Sequence, residues 1–352
     1  MDLLRGPGLR AGTAGKPLTC LLTVERDGNP LRRYGHVSPH IGKVAPLDAG
    51  ALREIADLAA DALPPETAGQ TLVVGMAESA LLLAWALAAR LGGDAELRFT
   101  TREDRRTVGE RTFLEPHSHG PVHALALSPG RSYGRVVIVE DELTSGATLR
   151  NLLLAIRDAA PLCQVVTLSD RRPPVKHELL RAEMAGLGVD LSVLDLSDHA
   201  STTSRYRPDV DAGEHFRMPF RGNPFGRYPA VFERAVDALG RRCRGLRPGT
   251  LYAVGECIDV AMTVWEALPT RERPIFRHIT RSPWLVDEVV VKDRLDLRAP
   301  SVPDHFLYNP DEGLPERAVI VGESSTSPVA AKLAGLLVSR GVETATVEVA
   351  RA

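Results

Sequence analysis

One stretch limits what this chain can fold into: Arg135 to Leu149, read RVVIVEDELTSGATL. Its apolar, β-branched run from Val136 to Val139 is too short for a buried helix. It suits a strand covered on both faces in a parallel sheet. Two acids, Glu140 and Asp141, follow at once. A loop of small and hydroxyl residues comes next, Thr144, Ser145, Gly146, Ala147 and Thr148, after which Leu149, Leu152, Leu153 and Ile156 recur at helical spacing. Strand, loop and helix in this order present backbone N–H groups and hydroxyls at a helix N-terminus, a ready phosphate site. A carboxylate pair at the strand's end accepts hydrogen bonds from vicinal sugar hydroxyls and helps to hold a divalent metal. Phosphate loop and diol-binding acids together describe a site for a phosphorylated ribose. Other phosphate motifs do not fit. Gly-Lys-Ser/Thr is absent, and Gly6, Gly8 and Gly12 miss the dinucleotide spacing and follow no strand.

With 352 residues and 44% hydrophobic content, the chain has room for two domains with proper cores. Its 43 basic and 45 acidic residues nearly cancel, so no global field draws it to nucleic acid or to a membrane. Cys20, Cys163, Cys243 and Cys257 show neither metal-ligand nor disulfide-framework spacing, as expected of reduced core residues in a cytoplasmic protein. A reactive thiol at Cys257, after a Gly-Glu turn, is the other reading. The longest apolar run, Ala80 to Ala89, is too short to span a bilayer, and no signal peptide is visible.

Along the chain, residues 1–15 are rich in Gly and Arg and are expected to be a disordered tail. Helices are predicted over 48–62 and 79–90, and strands over 72–74, 96–101, 164–168 and 189–196. Residues 102–129 form a long polar stretch containing FLEPHSHGPVH, read as a functional or mobile loop. Strands alternating with helices imply a parallel sheet with ligands at the strands' C-terminal ends. GMAES, TTRED, VEDELTSG and SDRR all fall at such ends. Residues 201–246, dominated by Arg, Pro, Gly and aromatics, read as a linker or irregular segment with a short helix near Phe232 to Leu239.

The remainder repeats the first half in outline. LVVGMAESALLLAW is matched by YAVGECIDVAMTVW, and RVVIVEDELTSGATL by RAVIVGESSTSPVAA. In the second copy Gly322 stands where Glu140 is, Glu323 where Asp141 is, and Pro328 where Gly146 is. One acid is lost and the loop is stiffened, so this copy is read as having lost the ribose-phosphate chemistry.

Four apolar residues, two acids and a hydroxyl-and-glycine loop resemble the motif by which type I phosphoribosyltransferases bind 5-phosphoribosyl-1-pyrophosphate (PRPP). VGMAESA, TTRE, FLEPHSHGPVH and HVSPHIGK extend the resemblance. It reaches a bacterial, orotate-phosphoribosyltransferase-like branch with a C-terminal domain named for Thr-Arg-Ser-Pro, here residues 280 to 283, associated with tellurium-resistance and stress gene clusters. The resemblance implies an α/β type I phosphoribosyltransferase fold, a parallel sheet flanked by helices, over residues 16–200. A linker over 201–246 follows, and a smaller α/β TRSP domain over 247–352, read as a degenerate copy of the first.

The activity it implies is Mg²⁺-dependent transfer of phosphoribosyl from PRPP to a nitrogen nucleophile, a base or base-like acceptor, in a nucleotide-like or stress-related pathway. A homodimer and small-molecule partners are implied, with no nucleic acid and no membrane. Thr144 to Thr148 would hold the 5-phosphate, Glu140 and Asp141 the ribose diol and, partly through water and PRPP, the Mg²⁺. Gly75, Met76, Ala77, Glu78 and Ser79 would meet pyrophosphate, with Gly75 allowing close backbone approach. Glu78 is an odd residue beside pyrophosphate. It binds Mg²⁺ or the nucleophile, or else caps the following helix.

Arg102 is the candidate cation over the pyrophosphate, with Arg105 and Arg106 behind it or in solvent. His117 and His119 suit general-acid or pyrophosphate contacts, and the H-x-H-x-x-x-H spacing with His123 leaves a zinc site open. Asp170, Arg171 and Arg172 mark the acceptor region. Orotate enzymes use lysines in the 102–129 loop and this chain has none there, which points away from orotate. Glu256 and Arg281 of the second copy line a second site, cap the first, or form an ordinary ion pair. The alternative to an enzyme is a non-catalytic regulator that binds PRPP or a nucleotide.

Overall fold

A computed structural model of the chain describes residues 18–28, 33–64, 69–92, 95–103, 109–116, 121–199, 223–311 and 314–350. The tail 1–15 and positions 201–222 of the expected linker lie outside the described residues. In chain order the elements are β1 (Leu22–Glu25), β2 (Tyr34–Val37), α1 (Ala49–Ala62), β3 (Thr71–Gly75), α2 (Leu81–Leu91), β4 (Glu96–Thr101), β5 (Glu110–Leu114), β6 (Val122–Ala126), β7 (Arg135–Leu143), α3 (Ala147–Ile156), β8 (Leu162–Asp170), α4 (Pro174–Gly186) and β9 (Asp190–Asp195). They continue with α5 (Pro229–Leu246), β10 (Thr250–Val254), α6 (Ile258–Ala267), β11 (Ile275–Ile279), β12 (Arg294–Asp296), β13 (Phe306–Tyr308), β14 (Arg317–Glu323), α7 (Ser327–Ser339) and β15 (Glu343–Val349). Two compact units result. One takes residues 50–199 and 223–233, the other 18–49 and 234–350.

The first unit is built on a seven-stranded sheet in the order β5-β6-β4-β3-β7-β8-β9. Neighbours among β4, β3, β7, β8 and β9 are parallel, as alternating strands and helices require. Parallel strands are covered on both faces, and every residue of β3 and the run Arg135 to Val139 of β7 is buried. The all-round apolar α2 is buried from Leu81 to Ala88. It starts two residues later than its composition suggests, because Ala77 to Ala80 form a turn.

The polar stretch 102–129 is not one long loop. β5 and β6 form an antiparallel hairpin that extends the sheet, with β6 pairing to β4 at Thr100–Leu125 and Thr101–Ala124. β5 buries only Phe113, so its strand signal is faint, whereas β6 buries His123 to Ala126. From 223 on, the described part of the expected linker is structured. The Pro224 carbonyl accepts the Phe99 N–H at 2.9 Å, and Phe225 packs edge-on against Phe99 with ring centroids 5.1 Å apart. Where the sequence predicts a short helix, α5 runs for 18 residues.

The second unit has a parallel sheet in the order β11-β10-β14-β15. That order repeats β4-β3-β7-β8, with α6 and α7 in the places of α2 and α3, and so supports duplication. Residues 18–49, assigned by sequence to the first domain, belong to this unit. The reason is an open edge: β11 offers the Phe276 carbonyl and the His278 N–H, and these meet Leu47 N (3.0 Å) and Gly42 O (2.8 Å).

The Thr-Arg-Ser-Pro turn joins the same unit to the β1–β2 hairpin. Thr280 Oγ1 accepts the Ser282 N–H, and Pro283 O accepts the Asp27 N–H at 2.7 Å. The next residue, Trp284, lies so close to Gly35 that a Cβ there would come within 2.7 Å of its ring. Arg26 covers the same ring at 4.9 Å.

Candidate active site

The loop between β7 and α3 leads into a helix N-terminus. Gly146 adopts φ 76° at the N-cap of α3, a left-handed turn that favours glycine, and the first helical turn carries no acid. Thr144 and Ser145 are exposed, and Gly146, Ala147 and Thr148 half-buried. Ser145 Oγ accepts the Ala147 N–H at 3.3 Å. Below the loop lies Arg172. A Cβ on Gly146 would stand 2.9 Å from Arg172 Cδ and 3.3 Å from its Nη1.

The buried Arg172 guanidinium grips Asp170 through Nε at 2.9 Å and Nη2 at 2.6 Å. Burial alone would raise the Asp170 carboxyl. The hydrogen bonds and charge of Arg172 outweigh it and hold the group below the usual carboxylate range. Of the three residues read as the acceptor region, Asp170 and Arg172 therefore form a floor under the loop. Arg171 is half exposed, with Nε 3.5 Å from Glu142.

Glu140 and Asp141 stand near the end of β7, between β3 and β8. Burial, the neighbouring Asp141 and the charge of Glu115 push the Glu140 carboxyl well above the ordinary range. A positive charge beside Glu140 would offset that cost.

The segment 75–79 follows β3, beside β7 and β4. Gly75 serves packing: a Cβ would meet Ala84 Cβ at 2.7 Å and Phe99 Cδ1 at 2.9 Å. Met76 N donates to Val139 O at 3.0 Å and Ala77 N to Thr100 Oγ1 at 2.8 Å; the Ala77–Glu78 peptide is cis. Glu78 is buried and does not cap the helix, since the N-cap of α2 is Ala80, with no side-chain cap. Ser79 is half-buried.

Arg102, at the end of β4, reaches the hairpin. Its Nη2 donates to Glu115 Oε2 at 2.8 Å, and its Nε lies 3.0 Å from His123 Nε2. His123, fully buried, also has Nε2 2.7 Å from Glu115 Oε2 and Nδ1 3.4 Å from Thr100 Oγ1. Burial raises the Glu115 carboxyl, but His123 and Arg102 together bring it down to about 2. Glu115 had no role on sequence grounds, because an acid among so many charges carries no pattern. His117, His119, Arg105 and Arg106 lie outside the described residues. No group of three or more His, Cys, Asp or Glu capable of holding a metal occurs among the described residues.

In the second unit the corresponding glycines are closely covered. The space of a Cβ on Gly255 is taken by His305 Nε2 at 3.3 Å, and that on Gly322 by Thr326 Oγ1 at 3.1 Å. Ser324–Thr326 wind into a 3₁₀ turn in place of an open loop. Glu256 and Cys257 are buried, and Arg281 is half-buried after β11.

A family model described as phosphoribosyl transferase matches residues 21–198. Among solved structures, the chain is similar to the adenine phosphoribosyltransferase of Trypanosoma brucei in complex with AMP, pyrophosphate and ribose-5-phosphate. Identity is 12% and the TM-score 0.40, over 54% of this chain and 83% of that one. The Leishmania donovani enzyme gives 14% and 0.37 over 50% and 78%. The Rhodothermus marinus enzyme gives 18% and 0.36 over 49% and 92%. No curated protein matches the sequence.

Proposed function

This chain belongs to the phosphoribosyl transferase family, and on that premise we propose that it moves phosphoribosyl from PRPP to a nitrogen nucleophile with Mg²⁺, releasing pyrophosphate. As a member it is a pentosyltransferase. The observation that carries the finer reading is the open loop 144–148 at the N-terminus of α3, with Glu140 and Asp141 directly before it on β7.

In this reading the loop fixes the 5-phosphate through N–H groups and hydroxyls. Glu140 and Asp141 orient the ribose diol, and the 75–79 segment faces the pyrophosphate. The nitrogen forms a bond to the anomeric carbon while the carbon–oxygen bond to pyrophosphate breaks, its electron pair leaving with pyrophosphate. Charge builds on both fragments, so fixed dipoles and held carboxylates contribute most. Mg²⁺ would supply neutralisation of pyrophosphate charge. Two adjacent carboxylates, with no larger ligand set among the described residues, fit an ion that takes most of its oxygens from substrate and water.

The orotate-like branch, the stress-related setting and a homodimer rest on the Thr280 to Pro283 signature and the sequence resemblance. No helix among the described residues is long and apolar enough to cross a membrane. The test is pyrophosphate release from PRPP and Mg²⁺ with a pool of bases and small amines. Base-dependent release is expected, falling at least 100-fold in Asp141→Asn, an order typical of losing a group that acts in the transition state. Tight PRPP binding with no release under any acceptor would instead support the regulator reading.

A further inference from the structure

We propose that Thr100 and His123 are positioning residues for the pyrophosphate side of the site, holding the Ala77 peptide through a hydrogen-bonded chain that ends on Glu115. The inference rests on the reading that segment 75–79 faces pyrophosphate.

The chain runs through three parts of the sheet. Ala77 N donates to Thr100 Oγ1 at 2.8 Å, Thr100 Oγ1 lies 3.4 Å from His123 Nδ1, and His123 Nε2 lies 2.7 Å from Glu115 Oε2. Thr100 and His123 are fully buried, on β4 and β6. His123 Nε2 is shared between Glu115 Oε2 at 2.7 Å and the Arg102 Nε–H, which donates to it at 3.0 Å, while Nδ1 faces the Thr100 hydroxyl. That hydroxyl oxygen in turn accepts from Ala77. Buried hydrogen-bonded groups of this kind strengthen one another in a low-dielectric interior.

Nothing about this arrangement suits Thr100 to attack a substrate, since its hydroxyl is enclosed and already engaged at both ends. What it does is set one peptide. Met76 and Ala80 are tied by backbone bonds, Met76 N to Val139 O and Ala80 N to Met76 O. Ala77 between them is tied by a side chain, and the plane of its peptide orients the residues that follow, Glu78 and Ser79. Arg102 lies on the same Glu115 oxygen at 2.8 Å. The cation expected over pyrophosphate and the loop expected beneath it are therefore held to one carboxylate.

Thr100→Val keeps the shape of the side chain and removes the hydroxyl, and Thr100→Ser keeps the hydroxyl. Titration calorimetry on the full chain would use two probes separately: Mg²⁺ with pyrophosphate, and ribose 5-phosphate. Thr100→Val is expected to bind pyrophosphate about tenfold more weakly, the scale of one buried N–H losing its partner. Ribose 5-phosphate, held by the 144–148 loop, should stay within about twofold, and Thr100→Ser should restore pyrophosphate binding. His123→Phe, which keeps the ring and breaks the chain, should show the same split.

Equal loss of both probes in Thr100→Val and His123→Phe would mean a general structural role and overturn the proposal. Unchanged pyrophosphate binding would overturn it as well. Wild-type protein that binds ribose 5-phosphate but not pyrophosphate would refute the placement of segment 75–79 and this proposal with it. Binding of neither would refute the phosphoribosyl reading as a whole.

Discussion

Glu115 shows how a single side chain sets a pH limit. Its burial favours the neutral form, while His123 and Arg102 favour the charged one, and the balance leaves it at about 2 against an ordinary 4.5. The folded state therefore binds this proton less readily than the unfolded state. The stability it contributes is fully present above pH ~4.5 and is lost as pH falls towards 2. Glu115→Gln should lower the melting temperature at pH 6 and flatten its fall between pH 5 and 3. An unchanged acid slope in thermal melts would refute the assignment. Gly75 makes the same kind of point through volume. With Ala84 Cβ 2.7 Å from where a Cβ would stand, and the aromatic edge of Phe99 at 2.9 Å, neither neighbour can retreat without moving α2 or β4. Gly75→Ala should cost about 1–3 kcal/mol in a denaturant midpoint at constant slope, as overpacking does. A neutral result would show that α2 shifts freely.

At the level of elements, the strand–loop–helix of residues 135–156 was legible because its period, its acids and its hydroxyls all point to one structure. β7, α3 and the neighbouring parallel strands appear where the pattern puts them. The floor of the loop was not legible, since SDRR reads as polar residues at a strand end. Only the fold turns Arg172 beneath Gly146 and onto Asp170. The β5–β6 hairpin was missed for a related reason: one buried residue in β5 gives no alternation to find, and β6 borrows its partner from β4, far back in the chain. The loop's construction yields its own test. Gly146→Ala meets Arg172 Cδ at 2.9 Å and places a side chain at φ 76°, a conformation costing a non-glycine residue about 1–2 kcal/mol. Ribose 5-phosphate binding should fall about tenfold or more while the fold persists, measured by calorimetry beside circular dichroism. Retained affinity would mean that the loop does not hold the phosphate through its backbone.

Among the described residues, the second parallel sheet repeats the order of four strands of the first, but the loop after β14 is wound into a 3₁₀ turn where that after β7 is not. The repeat was readable from matched segments because strand and helix lengths recur. The allegiance of residues 18–49 was not, because it depends on backbone groups at a sheet edge and not on any side-chain pattern. A parallel sheet of four strands has two edges, and β11 forms one of them. An edge strand left bare exposes N–H and C=O groups to any other strand. Residues 42–47 cover it, with Gly42 O accepting the His278 N–H at 2.8 Å. Gly42 reaches that position at φ 76°, and a Cβ there would find ordinary contacts, none closer than 3.5 Å. A substitution is therefore a test of backbone conformation without a clash. Gly42→Ala should weaken the cover by about 1–2 kcal/mol, the left-handed penalty, and speed exchange of the His278 amide by about tenfold in native-state hydrogen exchange. Amides of β3 and β7, in the other unit, should keep wild-type rates. If the His278 amide exchanged as slowly as before, residues 42–47 would not be what closes that edge. If β3 and β7 loosened equally, the two units would not unfold as separate bodies.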